Sequence, residues 1–165
     1  MAKQKITRGN ASQFFIAGEL CRRGYSAVVT LGNTPNTDIL CSNLAGTKFV
    51  HIQVKTFRHG IRTCSVGLKA EKFFGDNFLW VLGGIPLLDS EDDFEYYIIP
   101  SKIMSNNIKE NHQIWLNTLG RNGRKHKDNS VRTVLLPLRI HKNGWDENNF
   151  RNRWDLIEEK LMIDL

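Results

Sequence analysis

Thr37-Asp38-Ile39-Leu40-Cys41-Ser42-Asn43-Leu44-Ala45-Gly46-Thr47-Lys48-Phe49-Val50-His51-Ile52-Gln53-Val54-Lys55 reads as two adjacent strands joined by a turn at Asn43 to Thr47. An apolar run, a short Gly-containing loop and a second β-rich run are the signals of a hairpin. Successive side chains on a strand point to opposite sides, so Val50, Ile52 and Val54 share one face while Phe49, His51, Gln53 and Lys55 share the other. The aliphatic face is expected to be packed. The opposite face carries an amide and an amine that a buried strand would normally exclude. Asp38 lies on the partner strand between apolar neighbours, where an ionised carboxylate is costly unless it has a partner. A carboxylate, an amide oxygen and an ammonium on neighbouring strands make a hard-oxygen cation site beside a positive charge, which is equipment for phosphoryl transfer.

Ahead of the hairpin, Ala11 to Arg23 has a helical pattern, with Phe15, Ile16 and Leu20 forming an apolar stripe, Ser12 placed to cap the start and Gly24 ending it. Glu19 borders that stripe. Its plain reading is a boundary carboxylate paired with Arg22 or Arg23.

Pro35-Asn36-Thr37-Asp38 followed by Gln53-Val54-Lys55 resembles the PD-(D/E)XK nuclease superfamily, whose core motif is an acid at the start of one hairpin strand and acid-x-Lys on the next. Two departures stand out: Pro and Asp are not adjacent, and Gln53 occupies the place of the usual acid, as it does in some homing endonucleases and resolvase-like members. Gly18-Glu19 is similar to the Gly-Glu pair of the superfamily's first helix, whose Glu reaches over the sheet to the metal site. The resemblance covers roughly Ala11 to Ile99 in order of elements. It implies a restriction-endonuclease-like α/β fold, a mixed central β-sheet flanked by helices, with Glu19, Asp38, Gln53 and Lys55 as catalytic residues. It further implies Mg²⁺, for which Mn²⁺ would substitute, held by Asp38, Gln53 and Glu19.

At 165 residues and 41% hydrophobic content the chain can bury one sizeable core, and a single domain is expected: a basic lead-in over 1–10, a motif-bearing core over 11–99, and C-terminal helices with a last strand over 100–165. No stretch is long and apolar enough to span a bilayer, and the first residues lack the apolar segment of a secretory signal. Asn10-Ala11-Ser12 is then a chance match to a glycosylation acceptor. Cys21, Cys41 and Cys64 are odd in number and widely spaced, which fits reduced thiols better than a disulfide framework or a zinc site, and the expected compartment is the cytoplasm. The formal charge of +6 is uneven: Met1 to Lys72 holds 11 Lys or Arg against Glu19, Asp38 and Glu71, a net +8, leaving −2 for the remainder. Such a surface suits a polyanion, with DNA the expected partner and RNA left open, although lysines serving solubility would look the same.

Gly24 to Leu31 reads as the first strand and Gly32 to Asn36 as a loop. After the hairpin, Thr56 to Arg62 is a basic loop whose Arg58 and Arg62 are placed to grip a phosphate backbone. Cys64 to Leu68 is a short strand and Lys69 to Phe74 a helical turn. Phe78 to Ile85 is apolar enough for a central strand covered on both faces. Glu95 to Ile99 is the next strand, Ser101 caps a helix to about Trp115 with Ile103, Ile108 and Trp115 inward, and Leu119 to Ser130 is a mobile basic loop. Its Arg121, Arg124, Lys125 and Lys127 are further nucleic-acid candidates. Val131 to Leu138 is a last strand, and Trp145 to Leu161 a final helix with Phe150, Trp154, Ile157 and Leu161 on one face.

Two functions are in competition: a metal-dependent DNA endonuclease, which would need a homodimer to cut both strands, and a catalytically inactive nucleic-acid-binding module or regulatory interaction protein on the same fold.

Overall fold

The first helix, α1 (Ala2–Arg22), continues through the stretch expected as a polar lead-in. Residues 3–8 are mostly tolerant of helix and only Gly9 interrupts them, so the basic segment joins the amphipathic one. Ser12 therefore sits mid-helix, fully buried, and caps nothing. The computed structural model describes residues 2–30, 34–138 and 145–162, with side chains from Ile6 onward. Leu31 at the end of the expected first strand, and Gly32 and Asn33 of the loop after it, lie outside the described residues.

The strands β1 (Ser26–Val29), β2 (Ile39–Ser42), β3 (Phe49–Arg58), β4 (Thr63–Ser65), β5 (Phe78–Ile85), β6 (Glu95–Pro100) and β7 (Thr133–Leu135) form two sheets. The main sheet has the order β1-β2-β3-β5-β6, with β3 and β5 parallel and the other pairs antiparallel. The mixed sheet flanked by helices agrees with the expected fold class. Strand β5 is buried along its whole length, as its composition predicts. β4 and β7 form a separate two-stranded sheet, so the expected last strand is shorter than 131–138 and never joins the main sheet.

Alternation divides the core in two. Val50, Ile52 and Val54 of β3 and Leu79 and Val81 of β5 pack under Ile16, Ala17 and Leu20 of α1. Phe78, Trp80 and Leu82 point the other way, towards Met104 and Ile108 of helix α2 (Ser101–Asn117) and towards Cys64 and Val134 of the small sheet. Of the expected inward residues of α2, Ile108 is buried and Ile103 half-buried, but Trp115 is 37% exposed and lies outside both core clusters. Ser101 is the first helical residue and not a cap; its Oγ instead accepts a hydrogen bond from Phe74 N at 2.9 Å.

The C-terminal segment departs most from expectation. Instead of one helix there are two, α3 (Glu147–Phe150) and α4 (Asp155–Leu161), separated at Asn152, whose φ of 53° is left-handed. Asn152 N donates to Tyr96 O at 2.7 Å and Asn152 Oδ1 accepts from Tyr96 N at 3.3 Å, so the backbone leaves the helix to pair with the edge of β6. The aromatic stripe is split accordingly: Phe150 enters the core on the α2 side, while Trp154, Ile157 and Leu161 enter the core under α1.

Candidate active site

Asp38 is fixed before its side chain is considered. Asp38 N donates to Ile52 O at 2.9 Å, and Asp38 O accepts from Thr30 N at 2.9 Å, so both flanking strands hold its backbone. The preceding Thr37 is held by a hydrogen bond from Thr30 Oγ1 to its carbonyl at 2.6 Å and lies 3.1 Å, Oγ1 to Nδ1, from His51. Asn36 takes a left-handed φ of 60°, a conformation asparagine tolerates, and so turns the chain into β2.

Because Ile39 and Cys41 face α1, Asp38 faces the α2 side of the sheet, the face that Gln53 and Lys55 share on β3. Gln53, only 4% exposed, donates through Nε2 to Asp38 Oδ2, and Val54 N donates to the same oxygen at 2.7 Å. Both bonds fall on Oδ2, which leaves Oδ1 as the carboxylate oxygen on offer. Lys55, half-buried, follows Gln53 on the same face. The structure thus brings together three of the four residues that the sequence motif singles out.

Glu19 is elsewhere. Its Oε2 accepts from Arg22 Nε at 2.7 Å and its Oε1 from Arg23 Nε at 2.8 Å, and Arg23 continues to Glu158 at 3.0 Å while lying over the Trp154 ring. The Arg22 hydrogen bond, opposed by partial burial and reinforced by Arg23, lowers the Glu19 pKa below the usual 4.5. The helix that carries it packs on the α1 side of the sheet, opposite Gln53 and Lys55. Its plain reading as a boundary carboxylate is the one observed, and the reach to the metal site is not.

Sequence reasoning missed Lys69. Its Nζ donates to Gln53 Oε1 at 2.5 Å, making a chain from Lys69 through Gln53 to Asp38. Burial first, and then the charge of Lys55, lowers the Lys69 pKa from its usual value, with Asp38 acting in the opposite sense. The residue lies on a 3-10 turn (Leu68–Glu71) that the sequence signals, but a lysine on a short turn carries no periodicity that would mark it as facing the hairpin.

A divalent cation is tested by this donor set. Asp38 and Gln53 offer hard oxygens, and Mg²⁺ commonly takes only one or two protein ligands and keeps several waters. The pair fits such an ion as a two-oxygen site, provided the Gln53 oxygen is released from Lys69. Among the described residues no three His, Cys, Asp or Glu side chains gather to hold a metal, so a richer site is not available there.

Of the basic candidates, Arg58 ends β3 and Arg62 precedes β4, both exposed, so part of the expected basic loop is strand. Arg121, Arg124, Lys125 and Lys127 are exposed on a segment that is organised locally, with a 3-10 turn at Arg121–Gly123, a bridge between Leu119 and Lys125, and His126 stacked on Trp115 at 4.1 Å.

Compared with known proteins, no family model matches the sequence, and no curated protein matches it in sequence. Solved structures do match. The bacterial homing endonuclease I-Ssp6803I superposes with a TM-score of 0.52 at 13% identity, covering 93% of this chain and 91% of that one. A Holliday junction resolvase, Hjc, from the archaeal hyperthermophile Archaeoglobus fulgidus gives a TM-score of 0.47 at 12% identity over 91% of this chain and 95% of that one. That likeness shows the fold: the chain has a restriction-endonuclease-like α/β fold.

Proposed function

We propose that this protein is a divalent-metal-dependent DNA endonuclease hydrolysing phosphodiester bonds. One observation carries the reading: Asp38, Gln53 and Lys55 stand on one face of the β2–β3 hairpin, with the Asp38 backbone pinned by both neighbouring strands. Asp38 Oδ1 and Gln53 Oε1 would hold the ion, Mg²⁺ or Mn²⁺. When bound, such an ion polarises the phosphate and lowers the pKa of its water. Lys55 faces the scissile phosphate and stabilises the negative charge that develops there. Val54 N keeps Asp38 Oδ2 occupied and so fixes the carboxylate's orientation. Arg58 and Arg62, with Arg121, Arg124, Lys125 and Lys127, grip phosphates without reading sequence. With one carboxylate and one amide the site carries less negative charge than a three-acid site, and metal affinity is correspondingly weaker.

The test of the chemistry is Lys55→Ala. Single-turnover nicking of supercoiled plasmid should fall by about 10²-fold or more, the size of losing one preorganised charge contact, while DNA affinity changes little. Retained cleavage would remove Lys55 from the site.

The capture of Glu19 by two arginines, together with Gln53 in place of an acid, favours a second reading: a nucleic-acid-binding module that has the fold without turnover. DNA binding indifferent to EDTA, with no nicking in Mg²⁺ or Mn²⁺, would select it.

A further inference from the structure

Lys69 sits where a nuclease of this kind would not be expected to place a charge: on the oxygen that the metal reading needs. Gln53 is buried and its two amide atoms are both committed, Nε2 to Asp38 and Oε1 to the Lys69 ammonium. The ammonium therefore completes a polar chain that leaves no amide atom of Gln53 unpaired, which matters because an unpaired buried amide is costly.

The position of Lys69 is built, not incidental. Its neighbour Ala70 is fully buried, and Ala70 N donates to Gly67 O at 3.0 Å. Val66 N and Gly67 N both donate to Arg132 O, at 2.9 and 3.3 Å. The buried Arg132 guanidinium pairs with Glu71 at the other end of the turn and donates to Val131 O at 2.9 Å. The turn is thus held at both ends, and the only long cationic side chain between those anchors is directed at Gln53.

We infer that Lys69 is a resident cation of the site, occupying the Gln53 oxygen in the metal-free protein, and that a divalent ion binds by displacing its ammonium from that oxygen. The inference rests on the proposed metal site of Asp38 and Gln53. Displacement requires the ion's affinity to exceed that of an internal competitor, so the competitor sets how much metal the site needs. With the ammonium on one lone pair of Gln53 Oε1, an ion on the same oxygen would meet a like charge at close range, and removing the ammonium relieves that repulsion and frees the lone pair.

The test is calorimetric titration of Mn²⁺ into EDTA-stripped wild type, Lys69→Met, Lys69→Arg and Asp38→Ala, with no DNA present. Lys69→Met keeps the length and removes the charge; it should bind Mn²⁺ about tenfold more tightly than wild type, within the range of ordinary coupling between ligands. Lys69→Arg should stay near wild type. Asp38→Ala should bind no Mn²⁺. A merely structural role for Lys69 would leave affinity unchanged or weaken it, and either outcome in Lys69→Met overturns the inference while wild-type binding keeps the metal site itself. Absence of Mn²⁺ binding in both wild type and Lys69→Met, or binding that survives Asp38→Ala, would overturn the metal site and this inference with it. Circular dichroism of each variant checks that it is folded, and Lys69→Gln repeats the neutral substitution if the methionine variant is not.

Discussion

Glu19 is bonded to Arg22 and Arg23, and these partners hold its carboxyl below the usual 4.5. A carboxylate with a depressed folded pKa contributes stability that is present above its unfolded pKa and lost as pH falls through the folded one. Glu19→Gln should therefore cost about 1 kcal/mol or less at neutral pH, and the difference from wild type should vanish once the pH is taken well below 4.5. Thermal melts of the two proteins from neutral to acid pH check this. Mn²⁺ affinity of Glu19→Gln should equal that of wild type; a large loss would place Glu19 at the metal after all. Asp38, Gln53 and Lys55 were legible because alternation on a strand assigns faces with a period of two and the hairpin sets the partner. Glu19 was legible only as a boundary residue, since a helix position says which side chains are neighbours along the helix but not which face of the sheet the helix covers. Lys69 was not legible at all: it reaches Gln53 across tertiary structure from a turn of one residue after another with no repeating pattern.

At the level of elements, α1 and β5 approach closely enough to leave a mark in the sequence. Gly83 lies above Ser12, and a Cβ there would stand 2.3 Å from Ser12 Oγ but 3.7 Å from Ser12 Cβ. Ser12 Oγ is buried with no hydrogen-bond partner among the described residues. Gly83→Ala should destabilise by about 1–2 kcal/mol through overpacking, and Ser12→Ala should be close to neutral because the orphaned hydroxyl is removed. The double variant should recover most of the loss, giving an interaction energy of about 1 kcal/mol in a denaturant cycle. Additive effects would contradict the close packing. The Arg132–Glu71 pair makes a second element-level prediction. Arg132 is 6% exposed and ties the small sheet to the turn bearing Lys69. Arg132→Ala leaves Glu71 facing that gap and should cost about 3 kcal/mol or more, as breaking a buried pair does, with a lowered melting temperature as the readout. The broken C-terminal helix was hidden from sequence reasoning for a related reason. Phe150, Trp154, Ile157 and Leu161 keep helical spacing on paper, yet the edge of β6 offers backbone partners at Tyr96 that outcompete one helical turn at Asn152.

For the molecule as a whole, the sequence charge is concentrated in the half that carries the hairpin, with net +8 over Met1 to Lys72 against −2 beyond. Beyond Lys72 the basic residues Arg121, Arg124, Lys125 and Lys127 cluster in one segment, and if they meet phosphates as proposed, affinity falls as salt rises in proportion to the phosphates neutralised. Replacing Arg121, Arg124, Lys125 and Lys127 together by Ser should weaken DNA binding at every sequence tested and lower the slope of log affinity against log salt by about 3–4. An unchanged slope would move that loop away from the nucleic acid. The β2–β3 hairpin and a central strand covered on both faces were legible from Phe78 to Ile85 and the stretch before it, whereas the strand order and the partition of β4 and β7 into a second sheet depend on long-range pairing that short strands do not encode locally. Metal-dependent hydrolysis at the Asp38 site is the property on which the proposed function stands or falls. The most direct measurement is nicking of supercoiled plasmid by wild type and Asp38→Ala in parallel, with Mg²⁺, Mn²⁺ or EDTA. Wild type should nick with either metal and not with EDTA, and Asp38→Ala should not nick at all; nicking that persists in Asp38→Ala or in EDTA would contradict a metal-dependent site at Asp38.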